Sequence, residues 1–269
     1  RMRIAFIGGG KMAEAIIGGL IKARAADPAN ISVGEPIQER ADHLREAYGV
    51  QTTNNNREAA QKAVIVVLAV KPQDLPTACD DIRAGLSAEQ TVLSIVAGAT
   101  LNTLLRLLDH RSVVRVMPNV PAQVGYGMTV WTATPEVDGT TKSFVVELCN
   151  ALGDQSYVTE EKYLDMATAL SASGPAFIWL FLEALIDGGV HLGLPRDLAS
   201  KLAIQTMLGS AQMARELGSH PAILRNMVTS PGGTTVEGVL ALEEGSLRAV
   251  VGQALLAAFE KSQSLGSAE

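Results

Sequence analysis

Apolar positions along this chain follow two rhythms. In the first half, short runs recur that are β-branched and nearly continuously apolar: Arg3 to Ile7 (RIAFI), Ile31 to Val33, Ala63 to Val70 (AVIVVLAV), Thr91 to Val96 (TVLSIV) and Val113 to Met117 (VVRVM). Such runs predict strands covered on both faces. Between them, helical spacing predicts helices over Lys11 to Ala25, Pro36 to Tyr48, Pro72 to Ala84 and Leu101 to Leu108. A β-α-β series of this kind implies a parallel, doubly wound sheet. A strand over Gly127 to Thr132, a helix near Pro135 to Leu152 and a last strand over Gln155 to Thr159 complete it.

After about Glu160 the period becomes helical throughout. Helices are predicted over Glu161 to Ala172, Pro175 to Gly188, Pro195 to Leu217, Pro221 to Val228, Thr235 to Glu243 and Leu247 to Leu265, with Gly or Pro at nearly every junction. The fold class is therefore an α/β Rossmann-like doubly wound parallel sheet over residues 1–160, followed by an all-α C-terminal domain over 161–269. No Gly/Ser/Pro-rich linker separates the halves, so they are expected to pack closely. The second half is rich in Ala, Leu, Gly and Met, as in AFIWLFLEALIDGGVHLGL. Helices this apolar predict burial against a partner subunit.

Composition narrows the partners. A net charge of -6 and a pI near 5.3 leave no basic face for nucleic acid or anionic lipid. Cys79 and Cys149 stand far apart with no CxxC, which suits a reduced cytoplasmic protein, and His43, His110, His191 and His220 are scattered singly, so no metal site is expected. No run reaches the length of a membrane span and no signal-peptide pattern opens the chain.

The first chemical motif lies in RIAFIGGGKMAEAIIGGL. Gly8, Gly10 and Ala13 form G-x-G-x-x-A directly after the first strand, at the opening of a helix. The first glycine permits the tight turn, the second lets the backbone approach a pyrophosphate, and Ala13 lets helix and strand pack closely. The loop Gly8, Gly9, Gly10, Lys11, Met12 is thus the candidate cofactor cradle, with phosphates at the positive end of the helix. Glu35 ends the second strand, where an acid accepts from a ribose 2′-hydroxyl and favours NADH; Arg40, with Gln38 nearby, offers a planar donor fork to the 2′-phosphate of NADPH. Both readings stay open. LAVKPQ, with Lys71 and Pro72, and RVMPNVP, with Asn119, end later strands at the edge where open parallel sheets bind ligands.

The second motif is SPGGTTVEG. Thr234 and Glu237 match a T-x-x-E capping box, which by itself marks a well-made helix start. Capping does not require Gly-Gly. Free amides at Gly233, Thr234 and Thr235, flanked by the hydroxyls of Ser230 and Thr235, predict an anion cradle suited to a small carboxylate.

These blocks, from FIGGGKMAEAIIGGL through AVKP, VMPNVPA, LSASGPAF and GLPR to VTSPGGTTVEGVLALE, resemble the pyrroline-5-carboxylate reductase family over essentially the whole chain. The resemblance implies NAD(P)H-dependent reduction of a cyclic imine to L-proline by a homodimer or higher homo-oligomer, with C-terminal helices like those of 6-phosphogluconate dehydrogenase. Carried over by motif, Ser230, Gly233, Thr234 and Thr235 hold the substrate carboxylate, with Thr235 also the candidate catalytic hydroxyl, and Glu161 lies near the substrate ring. Asn56 matches an adenosine-side asparagine; Ala69, Val70, Lys71 and Pro72, and Ile95, Val96 and Ala97, match loops lining the cofactor. Met227 departs from the family where some members carry asparagine. The layout also resembles the β-hydroxyacid dehydrogenases, but SASGPAFIWLFLEALIDGG lacks their catalytic lysine. A related imine dehydrogenase and a non-catalytic NADPH-binding regulator are the alternatives.

Overall fold

The computed structural model describes residues 2–267. The first part alternates β1 (Ile4–Ile7), α1 (Lys11–Lys22), β2 (Ile31–Gly34), α2 (Gln38–Tyr48), β3 (Gln51–Thr53), α3 (Asn56–Ala60), β4 (Ile65–Leu68), α4 (Leu75–Arg83), β5 (Thr91–Ser94), α5 (Leu101–Leu108), β6 (Val113–Met117), β7 (Gly127–Ala133), α6 (Gly139–Asn150) and β8 (Gly153–Tyr157). The helices α7 (Lys162–Ala167), α8 (Gly174–His191), α9 (Arg196–Leu217), α10 (Pro221–Asn226), α11 (Thr234–Glu244) and α12 (Leu247–Ser267) follow.

The eight strands form one sheet in the order β3-β2-β1-β4-β5-β6-β7-β8. It is parallel from β3 to β6, with Ile7 in register with both Gly34 and Leu68. β7 runs antiparallel to β6, pairing Met117 with Val130, and β8 follows β7 in parallel. The expected sheet is thus present, with a reversed pair of strands at one edge.

Alternation along the strands builds two cores. Ile4, Phe6, Val33, Ile65, Val67 and Val114 face one side and pack with Ile16 and Ile17 of α1, Leu44 of α2 and Leu148 of α6. Ala5, Ile7, Val66, Leu68 and Val92 face the other and pack with Cys79 and Ile82 of α4 and Leu104 of α5. A strand whose successive side chains point to opposite layers must be apolar throughout, which is why IAFI and IVVL lack polar alternation.

The chain forms two compact units: the first runs through Ser173 and takes in the described residues from Ala258 onward; the second is Gly174–Ala257. The expectation that no run is long enough to cross a membrane is corrected. Lys162–His191 is a single helical stretch of 30 residues whose apolar window has mean hydropathy 1.6, enough by length and composition, with 6% of that window buried inside the chain. The sequence reading broke this stretch before Pro175. The helix instead passes through a wider π turn over Thr168–Ala172, closed by Ser173 N–H donating to Thr168 O at 2.8 Å. Pro175 has no N–H to give Ser171, four residues back, and the Ser171 carbonyl accepts from Asn119 Nδ2 at 2.9 Å instead.

Candidate functional site

The β1–α1 turn shows why its first glycine is there. Gly8 has φ +98°, and a Cβ on it would stand 2.6 Å from the Ala69 carbonyl oxygen. A side chain would push β4's exit loop away. Gly8 N–H donates to Gly34 O at 2.9 Å, Ala69 N–H to Ile7 O at 2.8 Å and Ile95 N–H to Leu68 O at 3.1 Å. These bonds align the carboxyl ends of β1, β2, β4 and β5, so Gly8 to Met12, Glu35, Ala69 to Pro72 and Ile95 to Ala97 share one edge of the sheet. Gly10 is an extended N-cap with no side-chain cap, so the first-turn amides of α1 lack protein partners by helix geometry. A close-approach glycine turn ending in an uncapped helix start fits a dinucleotide pyrophosphate.

The two residues read as choosing between NADH and NADPH both turn to Gly9. Glu35 is 8% exposed; its Oε2 accepts from Gly9 N–H and its Oε1 from Ile37 N–H, each at 2.9 Å. Arg40 Nε donates to Gly9 O at 2.6 Å, and its Nη2 pairs with Glu14 Oε2. Glu14 Oε1 also lies 2.7 Å from His43 Nε2 and accepts from Tyr48 OH at 3.0 Å. Burial alone would raise the Glu14 pKa, but the hydrogen bonds from His43, Arg40 and Tyr48 hold it at about 2. The same contact, on top of desolvation, raises the Tyr48 pKa.

Asn56 sits against the end of β2, where its Oδ1 would lie 2.3 Å from a Cβ on Gly34, and its Nδ2 donates to Asp81 Oδ2 at 2.9 Å. Lys71 is exposed and precedes a short 3-10 turn with Pro72 at its start. Asn119 spends its amide inside the protein: Oδ1 accepts from Met128 N–H at 2.8 Å while Nδ2 holds Ser171.

Glu161 precedes α7 and joins a buried ionic group. Its Oε1 accepts from Arg115 Nη1 and from Leu101 N–H, both at 2.7 Å, so it satisfies the start of α5 as well as the charge. Arg115 lies within β6 and is 1% exposed; Asp165 Oδ1 is 3.5 Å from its Nη2. Sequence reasoning gave Arg115 and Glu14 no role. An arginine in the otherwise apolar run VVRVM is a signal that a carboxylate must come to meet it.

In the second unit, Ser230, Pro231, Gly232 and Gly233 make a tight turn before α11. Pro occupies the second position, Gly232 the third with φ +70°, and Gly233 N–H donates back to Ser230 O at 3.0 Å, the chemistry of a type II turn. This corrects two expectations. Gly233 is the N-cap, with no side-chain cap, so Thr234 is already the first helical residue and the T-x-x-E box does not form. The Gly233 amide closes the turn, leaving the first-turn amides from Thr234 onward to face a ligand. Among the described residues, the hydroxyls of Ser230, Thr234 and Thr235 make no hydrogen bond within the protein.

Cys79 and Cys149 are buried free thiols, and burial pushes their pKa values up to about 11 and about 12. Both are therefore protonated and inert at neutral pH. No group of three metal-ligating side chains occurs among the described residues.

Two family models match the chain: pyrroline-5-carboxylate reductase dimerisation over residues 161–265, and NADP oxidoreductase coenzyme F420-dependent over residues 3–98. A pyrroline-5-carboxylate reductase from Synechocystis is 41% identical over 265 residues, covering 98% of each chain. Among solved structures, a pyrroline-5-carboxylate reductase from Coxiella burnetii superposes with TM-score 0.92 at 38% identity, covering 98% of both chains. A Plasmodium falciparum pyrroline carboxylate reductase with NADP bound superposes with TM-score 0.89 at 32% identity, covering 99% of this chain and 98% of that one. With full-length identity above a third and one uncapped helix start in each unit where the motifs require it, the chain belongs to the pyrroline-5-carboxylate reductase family.

Proposed function

We propose that the protein reduces 1-pyrroline-5-carboxylate to L-proline with NADPH, accepting NADH as a second donor, and that the SPGGTT turn holds the substrate carboxylate. The observation that carries this reading is the turn itself. The uncapped start of α11 offers main-chain donors, and the same six-residue segment carries three unengaged hydroxyls, where a small anion is stabilised by the helix dipole. Gly8 to Met12 hold the pyrophosphate, with Asn56, Ala69 to Pro72 and Ile95 to Ala97 around the remainder; Asn119, its amide engaged at both ends, supports that edge from within. When bound, the reduced nicotinamide supplies the hydride and departs oxidised.

The chain's own contribution is orientation. Fixing the carboxylate through Ser230, Thr234 and Thr235, with Gly233 closing the turn that presents them, restricts the ring to one presentation, and positioning of this kind removes up to roughly 7–11 kcal/mol of barrier. The carbon of the protonated imine takes the hydride and the C=N π pair becomes the lone pair of a neutral ring amine, so no strong acid is needed; the Thr235 hydroxyl donates to, or orders water at, that new lone pair, and the amine takes its second proton from solvent. Residues 1–160 bind cofactor; residues 161–269 bind substrate and join protomers into a homodimer or larger homo-oligomer in the cytoplasm. The description of the model matching 161–265 and the exposed Ile178, Trp179 and Leu180 of α8 support that assembly.

Oxidation of NADPH followed at its absorbance band, with and without the imine, tests the proposal. Imine-dependent oxidation is expected. Bound NADPH that is never oxidised by the imine, or turnover of a β-hydroxyacid in its place, refutes it. Thr235→Val is expected to lower turnover while cofactor affinity holds; unchanged turnover removes the role of the hydroxyl.

A further inference from the structure

An acid ending β2 ordinarily reads the ribose 2′-hydroxyl and rejects a 2′-phosphate. The Glu35 carboxylate has both oxygens on main-chain amides, those of Gly9 and Ile37, and is almost wholly buried. Each oxygen keeps a spare lone pair, but with the residue 8% exposed and both oxygens turned onto main-chain amides, little of either is open to a ribose, and swinging the carboxylate outward would orphan both donors. From the other side Arg40 Nε grips the Gly9 carbonyl. The Arg40 guanidinium is itself fixed by Glu14, which is anchored on α1 and shared with His43 and Tyr48. Glu14 is ionised at neutral pH and offsets the arginine's charge, so Arg40 presents little net attraction to a phosphate.

Resting on the cofactor site proposed above, we infer that Glu35 and Arg40 are positioning residues that pin the N–H and the carbonyl of Gly9, hence the two peptide units that flank it, and that neither selects between NADH and NADPH. Their joint work is to hold the glycine turn in its ligand-ready shape before any cofactor arrives, so that binding does not have to supply the ordering. An acid at the β2 terminus is compatible with NADPH here because its charge is spent inward.

The test measures dissociation constants for NADPH and NADH separately, from the change in reduced-cofactor fluorescence, in wild type, Glu35→Gln, Arg40→Lys and Glu14→Gln. Glutamine at 35 can accept from one amide but sets an N–H against the other. Lysine at 40 lacks the fork that spans Gly9 and Glu14. Each variant is expected to weaken both cofactors together, by roughly tenfold, with the ratio of the two constants unchanged and turnover at saturating cofactor retained. A general loss of stability would instead lower the melting temperature and leave the constants of the folded protein in place. Loss of NADPH affinity alone in Arg40→Lys makes that residue a 2′-phosphate ligand and overturns the inference. Loss of NADH affinity alone in Glu35→Gln makes that residue a ribose reader and does the same. Should Glu35→Gln fail to fold, the partly exposed Arg40 and Glu14 carry the measurement. Wild type that binds both cofactors but never reduces the imine refutes the proposed activity and leaves this inference standing.

Discussion

Removing Glu161 should damage the protein more than removing the arginine it neutralises. Arg115 is enclosed within β6, with a side chain 2% exposed, whereas the Glu161 side chain is 29% exposed. In Glu161→Ala the guanidinium keeps only Asp165 at 3.5 Å, and Leu101 N–H loses its acceptor. Breaking one side of a buried pair costs ~3–5 kcal/mol and an orphaned amide about 1 more; Asp165 and entering water return part of it, which leaves roughly 3 kcal/mol. For chains of this size that is a fall of about 6–12 °C in melting temperature. Arg115→Met is milder, at ~1–2 kcal/mol, because Glu161 can reach water, still accepts from Leu101, and the change deletes the buried Arg115 Nε, which has no partner among the described residues. Urea unfolding in a Trp179→Phe background isolates the buried Trp131, whose indole donates to Gln155 at 2.8 Å and reports on the sheet. If Glu161→Ala costs no more than Arg115→Met, Glu161 is not what sustains the buried charge.

The glycines of the carboxylate turn should separate in their effects. Gly232→Ala meets no atom within 4 Å but must adopt φ +70°, so it costs ~1–2 kcal/mol of stability by denaturant titration; Gly233→Ala has ordinary φ but a Cβ 2.7 Å from Ser230 Oγ, so it should raise the KM for the imine roughly tenfold by displacing that hydroxyl, ~1.4 kcal/mol. Glu14 should make stability acid-sensitive: its folded pKa, about 2, lies below the ordinary 4.5, so its contribution is complete above about pH 4.5 and is lost as pH falls toward 2. After allowance for solvent screening the difference between wild type and Glu14→Gln is ~1 kcal/mol at pH 6, and urea midpoints that do not converge on acidification would refute it.

The long elements were readable because burial on both faces leaves an uninterrupted apolar record, as in β4, although Ala69 and Val70 extend that record past the strand into the loop. β3 and α3 escaped notice, since Gln51–Thr53 and Asn56–Ala60 are too short to complete a period and β3 lies at a partly exposed edge. The reversed β7 was also hidden: an apolar strand has no local mark of direction, and pairing with β6 is decided by the turn through Asn119 and Gly125. The motifs marked the backbone turns at Gly8 and before α11 but misjudged the helix start, because a left-handed Gly232 overrides a nominal capping box. Apart from Ile37 beside Glu35, the partners of Glu35, Arg40 and Glu161 lie 26 to 60 residues away in sequence, where no local rule reaches.

Within its own chain, α8 buries none of its residues, although it is the most apolar helix of the second unit. In the homo-oligomer proposed above its apolar face closes against a partner subunit, which makes folding and assembly one mass-action equilibrium. Dilution should therefore act on this protein as heat does: thinning the solution lowers its melting point, and activity lost from very dilute samples returns when they are concentrated again.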